Sequence, residues 1–486
     1  MGVSLYTSRV VLNTLGVENY GIYNIVGGII VIFGFLNSSM SGATSRFLTF
    51  ELGIGNYEKL KKTFSTALTI HFIIAGVIFI LGETIGLWWL ENKLVVAPDR
   101  MFAARWVYQL SILSTMVNIT QVPYNATIIA HERMKVYAYV EVLNKFLQLG
   151  IVYLLVIGNF DRLILYAVLT LCLTIFITTI YKMYCTKKFS ESHYKFTWDK
   201  DIIHPMLNFS GWDLYGNMCV VAKGQGVNIL LNLFFGVLIN AAYGIANQVQ
   251  GAVTSFSNNF LIAVRPQIVK YYATAEIEKM QSLIINAGKF SFFLISLISL
   301  PLIIENHFVL QLWLKMVPDY SVVFCQLNLL CILVTFMLAE TIVVFSIHAT
   351  GRITNLSIIG GTIFILILPI SYFFLKAGFS PIIPFLINII LSIARSLANL
   401  FFLKLQIKQI SIKKILKGVS FSCLILISIT SLLPIFFYIT FNENWIRFIL
   451  VSISSILSCF FAGYFIILDK NMRKQVKNFI FDKIKK

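Results

Sequence analysis

Long apolar runs in this 486-residue sequence contain cations that hydrocarbon does not accept cheaply: Arg9, Arg46, Arg105, Lys145, Lys223, Lys289 and Arg395. At the centre of a membrane-spanning helix each costs about 2.5 to 3.5 kcal/mol, so such side chains face a bundle interior or a wet cavity. A cation held there can do one of two things. It can line a cavity and hold an anionic group, arginine through two parallel hydrogen bonds, or it can neutralise a buried acid. Both readings stand for Lys145, Lys223 and Arg9. Glu141 lies one turn from Lys145, and Asp213 is the acid within reach of Lys223. Arg46, Arg265 and Arg395 sit near segment ends, where snorkelling and topology account for them.

A second set of residues has the chemistry to bind and release ions. A buried carboxylate can take up and release protons, which selects Glu340, Asp213 and Glu141, with Glu83 weaker. His71 belongs to the side-chain type that changes charge between about pH 5 and 8. Each has a plain role as well, the acids as counter-charges and His71 as a hydrogen-bonded interface residue. A third set is rich in amides: Asn208, Ser210, Asp213, Asn217, Lys223, Gln225 and Asn228, followed by Asn240, Asn247 and Gln248. That density suits sugar hydroxyls at a wet cleft, and equally suits hydrogen bonds between helices. P-loop, HExxH and GxSxG signatures are missing, and the seven cysteines are scattered without CxxC or Cys/His spacing. The expectation is a chain with no catalytic residues, no metal site and no cofactor.

The elements that position these residues follow from composition. Of 486 residues 58% are hydrophobic and 12% charged, and the mean hydropathy is +0.82. Soluble chains carry roughly 25% charged residues, so a soluble globular protein is excluded. The apolar positions fill about fourteen spans at about 20 residues each and leave no room for a large extramembrane domain. The fold class is therefore all-α, a polytopic membrane protein with about 14 transmembrane helices. Apolar segments fall at 1–15, 21–48, 64–90, 103–129, 137–157, 163–184, 207–235, 239–264, 284–310, 320–347, 355–375, 381–403, 419–439 and 445–468.

Topology also absorbs the net charge of +18, which needs no nucleic-acid partner. Connections after even-numbered helices, with the tail, hold 26 Lys and Arg against 6 on the opposite side. Positive residues stay on the cytoplasmic side, so both termini are expected there. The tail 469–486 mixes lysines with Phe479, Ile480, Phe481 and Ile484, which suits either an amphipathic helix on anionic lipid or a solvated basic tail.

An internal repeat divides the chain. Sliding the sequence by 223 residues pairs Tyr20-Gly21-Ile22-Tyr23-Asn24 with Tyr243-Gly244-Ile245-Ala246-Asn247, and Val26, Gly28 and Phe33 with Val249, Gly251 and Phe256. With small gaps Gly16-Val17 pairs with Gly236-Val237. A six-helix unit preserves orientation, so the repeat is parallel, about an axis along the membrane normal. The predicted layout is an N-lobe at 1–185 (helices 1–6), a cytoplasmic linker at 186–206, and a C-lobe at 207–403 (helices 7–12). A basic loop with helices 13–14 follows at 404–468, then the basic cytoplasmic tail at 469–486. Pro123, Pro301, Pro369, Pro384 and Pro434 fall in apolar segments and permit bends.

The stretches Thr7-Ser8-Arg9-Val10-Val11-Leu12-Asn13-Thr14-Leu15-Gly16-Val17-Glu18-Asn19-Tyr20-Gly21-Ile22-Tyr23-Asn24 and Ser45-Arg46-Phe47-Leu48-Thr49-Phe50-Glu51-Leu52-Gly53 resemble the start of bacterial polysaccharide flippases. Phe235-Gly236-Val237 and Asn240-Ala241-Ala242-Tyr243-Gly244-Ile245-Ala246 resemble the same branch of the multidrug/oligosaccharidyl-lipid/polysaccharide exporter superfamily. The resemblance implies two six-helix lobes around a V-shaped cavity in a bacterial inner membrane. It implies movement of undecaprenyl-pyrophosphate-linked oligosaccharide, such as an O-antigen or lipopolysaccharide unit, to the periplasmic leaflet. Polysaccharide polymerase machinery is the implied protein partner. Substrate-cavity candidates are then Arg9, Lys145, Lys223, Arg46, Arg265, Asn217, Gln225 and Asn228. Glu141, Asp213, Glu340 and His71 are the candidates for ion coupling. Only eight residues precede Arg9, so the first helix is expected to be incomplete or its start late. Two rivals stand beside this reading. A cation-coupled multidrug exporter should favour acidic cavity residues, and a membrane-embedded glycan polymerase should carry a large outer loop with paired acids.

Overall fold

The computed structural model describes residues 10–11, 14–16, 19, 22–23, 39–92, 98–155, 160–314, 317–468 and 473–474. Its regular structure is helical. The elements are α1 (39–54), α2 (Tyr57–Asn92), α3 (Met101–Ala130), α4 (Met134–Leu154), α5 (Arg162–Lys188), α6 (Lys200–Phe235), α7 (Val237–Ala273) and α8 (Ile277–Ile304). They continue as α9 (Asn306–Trp313), α10 (Ser321–Met337), α11 (Glu340–Thr350), α12 (Thr354–Lys376), α13 (Ile383–Gln406), α14 (Ile412–Thr440) and α15 (Trp445–Ile466). Among the described residues eight helices are long and apolar enough to cross a membrane, or nine when α10 and α11 count as one bent span. Helices α3, α4 and α7 fall outside that set because polar residues interrupt them, as Asn240, Asn247, Gln248 and Gln250 do in α7. Outward faces are apolar: Ile439 is 77% exposed and Phe461 70%. Hydrocarbon accepts such surfaces and water does not.

The chain divides into two compact units, 1–214 and 215–486, with the division inside α6. In the first unit α3 packs along both α2 and α5. Leu60, Phe64 and Leu68 of α2 meet Tyr124 and Ile128 of α3 and Tyr181 of α5, and the Phe64 ring stands edge-on to Tyr124 at 5.3 Å. The connection between α5 and α6 is tied down: Glu191 and Ser192 are buried, and Tyr194 Oη lies 3.3 Å from Thr69 Oγ1.

In the second unit α8 packs against α7, α10, α14 and α15, while α13 packs against α10, α11 and α12. Stacked Phe324 and Phe385, 4.2 Å apart, anchor a core that includes Val227, Leu231, Ile239 and Ile367. The hairpin of α14 and α15 is locked in place by Arg447, whose Nε and Nη2 donate to Glu305 at 2.8 and 2.9 Å.

Helix ends are fixed locally. Asn56 accepts from the Lys59 N–H, Asp161 from those of Leu163 and Ile164, Ser411 from Lys414 and Asn444 from Arg447, each satisfying donors that a helix start leaves orphaned. The repeat reappears in the backbone. Gly16 and Gly236 have φ of +78° and +80°, and Gly55 and Ala275, in equivalent places, have +80° and +57°.

Helix breaks differ from those the prolines suggested. Pro384 does not bend its helix but lies in the first turn of α13, where a missing N–H costs nothing. Pro369 breaks α12 at Leu366, as expected when a proline ring clashes with the carbonyl four residues back. The 50° bend between α10 and α11 involves no proline: Ala339 takes φ +56°, and Ser420 Oγ donates to the Met337 carbonyl at 2.8 Å.

Candidate functional site

The recess that gathers most of the polar chemistry lies in the second unit, where α6 turns back as α7 at Gly236. At φ +80° Gly236 occupies a conformation that L side chains adopt only at a cost. Close approach of α6 to α12 is set by Gly226, where an added Cβ would sit 2.5 Å from Leu368 Cδ2. Two adjoining cavities result, of about 260 and 390 Å³, sharing Gly224, Tyr243 and Asn247. The outer one is lined by Gln225, Asn228 and Asn240, and the inner one by Lys223, Gln250, Asn328 of α10 and Asn388 of α13.

Inside, Lys223 Nζ donates to Asn388 Oδ1 at 3.0 Å and sits 4.2 Å from the centre of the Phe364 ring. Asn388 Nδ2 donates to Cys331 Sγ at 3.5 Å, Asn328 Nδ2 to Asn247 Oδ1 at 3.3 Å, and Tyr243 Oη to the Gly224 carbonyl at 3.1 Å. Among the described residues no carboxylate lines either cavity. An ammonium among neutral amides can hold anions and sugar hydroxyls, and its charge repels a cationic ligand.

A second cation shares the same ring. The Arg395 guanidinium lies 4.2 Å from Phe364, but its Nη1 pairs with Glu340 Oε1 at 2.7 Å, and Asn399 Nδ2 donates to the same oxygen at 3.0 Å. Arg395 therefore does not snorkel at a helix end. It is mostly buried and matched to an acid at the start of α11.

The remaining candidates are dispersed. Arg9 lies outside the described residues. In the first unit Arg46 is buried against Phe47 and Phe50, 4.6 and 4.7 Å from their centres. Lys145 Nζ donates to Gln148 Oε1 at 3.2 Å, and Glu141 accepts from Tyr181 Oη at 3.4 Å, so the pairing of these neighbours does not form. His71 is buried with Nδ1 2.7 Å from the Ala67 carbonyl. Asp213 is half-buried in α6, and the acceptor for Lys223 is Asn388 rather than this acid. In the second unit Arg265 lies 5.2 Å from the centre of Phe345, and Asn217 is half-buried on α6. Of the candidates, the structure brings Lys223, Gln225 and Asn228 together. The amides that complete their site, Gln250, Asn328 and Asn388, went unselected in the sequence. The signal there was a lone amide in an apolar run, as in Leu-Ile-Asn-Ile-Ile around Asn388.

Two charged pairs at helix ends are closed by their own partners. Arg100 joins Asp161 at 2.6 Å and Asn19 Oδ1 at 2.5 Å. Burial opposes the Asp161 charge, yet Arg100 and the N–H groups of Ile164 and Leu163 hold its carboxyl below the usual range. His131 Nε2 lies 2.5 Å from Glu191 Oε1, with the imidazole stacked on Phe189 at 4.0 Å. Burial opposes the Glu191 charge too, but the bonds from His131 and from its own N–H hold that carboxyl below the usual range. Among the described residues no group of three or more His, Cys, Asp or Glu is placed to hold a metal ion.

No protein-family model and no curated protein matches the chain. Solved structures do. A MATE protein in its bent conformation superposes with a TM-score of 0.73 at 13% identity, covering 85% of this chain and 92% of that one. A multidrug resistance MATE family transporter of the MOP superfamily, outward-facing, gives 0.71 at 12% identity over 85% and 93%. A MOP superfamily transporter from Pyrococcus furiosus, described as having a binding pocket of reversed polarity that suggests a different function, gives 0.69 at 13% over 85% and 93%. The chain has the fold of the MATE-type transporters of the MOP superfamily.

Proposed function

We propose that this chain is a flippase that moves a lipid-diphosphate-linked oligosaccharide from the cytoplasmic to the periplasmic leaflet of a bacterial inner membrane by alternating access. The observation that carries the reading is the character of the recess, one ammonium and a bank of neutral amides with no carboxylate among the described residues. Lys145 repeats the pattern in the first unit, meeting an amide rather than an acid. Unaided, a charged glycan head faces about 30 Å of hydrocarbon without replacement for its hydration. Amides such as Gln225, Asn228 and Asn217 supply hydrogen bonds to sugar hydroxyls, and Lys223, Lys145, Arg46, Arg265 and Arg9 supply charge to the diphosphate. The polyprenyl tail stays in lipid throughout. No cofactor enters this scheme. Glu340, Asp213, Glu141 and His71 are the groups that couple it to an ion gradient. Both termini face the cytoplasm, where the basic tail 469–486 rests on anionic lipid and polysaccharide polymerase machinery is the protein partner.

A second reading, a cation-coupled multidrug exporter, is favoured by buried Glu340, whose Oε2 meets no hydrogen-bond donor among the described residues, and by the description of one neighbour as a multidrug resistance transporter. The deciding experiment labels lipid-linked oligosaccharide on each membrane face in cells with and without the gene. Cytoplasmic build-up relieved by the gene, and not relieved by a K145M/K223M double variant, supports flipping. Normal sidedness together with altered drug tolerance moves the assignment to drug export.

A further inference from the structure

We propose that the inner cavity of the second unit is a binding site for a compact anion, a halide or a phosphate group, held by Lys223. The ammonium has three N–H donors. One meets Asn388 Oδ1, and the charge otherwise rests on the face of Phe364. The other cation on that ring, Arg395, is already matched by Glu340. A cation taken out of water without a counter-charge is costly, and the low dielectric that makes it costly also makes an incoming anion bind well. The cavity has room for one. At about 260 Å³ against about 30 Å³ for a water molecule, it accepts a phosphate-sized group with solvent to spare. Its wall has donors to share, because among the described residues the Gln250 side chain makes no hydrogen bond, and Asn388 and Asn328 are amides.

The site does not depend on the identity of the cargo. On the flippase reading its occupant is the diphosphate of the lipid-linked glycan, and on any other reading it is an ion from solution. The shared chemistry is a small anion against one ammonium and a bank of amides. The site also makes the polarity of this pocket opposite to that of a sodium or proton-binding carboxylate site.

The test uses the full chain in neutral-lipid nanodiscs, exchanged into sodium gluconate. Chloride, inorganic phosphate and pyrophosphate are then titrated at constant ionic strength, reading the thermal midpoint and the binding heat. The expected result is a saturable rise with at least one anion. Lys223→Met should weaken binding by tenfold or more, while Lys376→Met, which removes an exposed lysine outside the cavity, should not. Asn388→Asp keeps the residue shape and places a carboxylate where the amide oxygen accepts from Lys223. That variant should lose the response because its anion is built in, and it carries the test if Lys223→Met does not fold. Pyrophosphate binding tenfold or more tighter than chloride assigns the site to the cargo, and chloride binding as tight or tighter assigns it to a solution ion. No saturable response in the parent, or an undiminished response in Asn388→Asp, overturns the site whatever the flipping assay shows.

Discussion

Lys223 and Arg447 are cations in helices of the same unit, yet their surroundings are opposite. Arg447 is 7% exposed and bonds Glu305, itself 1% exposed, through two parallel hydrogen bonds, with Tyr438 4.6 Å from the guanidinium. That charge is matched by its own acid. Lys223 meets an amide and a ring, and it opens onto a cavity. The difference separates two uses of charge in a membrane protein. A closed pair fixes one helix against another, and an open cation beside a cavity is a site. The composition of the chain could not separate them, because both contribute equally to its net positive charge.

Breaking the closed pair should have the largest effect. Glu305→Gln leaves a buried guanidinium without its acid, and loss of one partner of a buried pair costs about 3 to 5 kcal/mol. Unfolding of the purified chain should begin at markedly lower temperature, and a protease should cut first in the 441–444 turn as α14 and α15 come loose. An unchanged midpoint would mean that Glu443, 3.7 Å from Arg447 Nη2, takes over as counter-charge.

Next comes the backbone that shapes the recess. Gly236→Ala puts a Cβ on a backbone at φ +80° and ψ −169°, a region nearly confined to glycine, at about 1 to 3 kcal/mol. No atom lies within 4 Å of the added carbon, so the cost is conformational and not steric. The same substitution at Gly16, the repeat equivalent of Gly236 at φ +78° and equally open, should cost a similar amount. A large disparity between the two in thermal midpoint would break the symmetry that the repeat implies.

A smaller effect is expected from Asp161, which is matched to Arg100 at the boundary. Its carboxyl is held below the usual value near 3.8, so its contribution is complete above that value and is lost as pH falls through the lowered one. Both partners are partly exposed, and screening keeps the pair to about 1 kcal/mol or less. Stability measured from pH 5 down to pH 3 should fall less steeply in Asp161→Asn than in the parent. Identical slopes would remove Arg100 and Asp161 from the set of working pairs.

The architecture was legible because hydrocarbon enforces it: twelve of the fourteen apolar segments coincide with described helices, and loop charges punctuate them. What the sequence hid depended on partners far away along the chain. Arg395 looked like a snorkelling end residue until Glu340, 55 positions earlier, came into contact at 2.7 Å. Asn328 and Asn388 carried no pattern of their own, since an isolated amide announces only that it needs a partner. The bend at Ala339 was invisible because nothing in Met337-Leu338-Ala339-Glu340 breaks helix propensity; the left-handed residue there is tertiary, stabilised by Ser420.

The smallest effect on stability, and the sharpest for the comparison, belongs to Lys223→Met. Methionine fills the lysine stem with a flexible apolar chain and removes a charge that has no acid to leave behind. One amide oxygen loses its donor, at about 1 to 3 kcal/mol if it stays dry, but Asn388 borders a cavity where water can replace the ammonium. Relief of the desolvated charge offsets the remainder, so the thermal midpoint in anion-free buffer should move by little in either direction. A fall as large as that of Glu305→Gln would show that the ammonium is a structural strut after all, matched by something the amides conceal, and the distinction between closed and open charge would collapse at the residue on which it most depends.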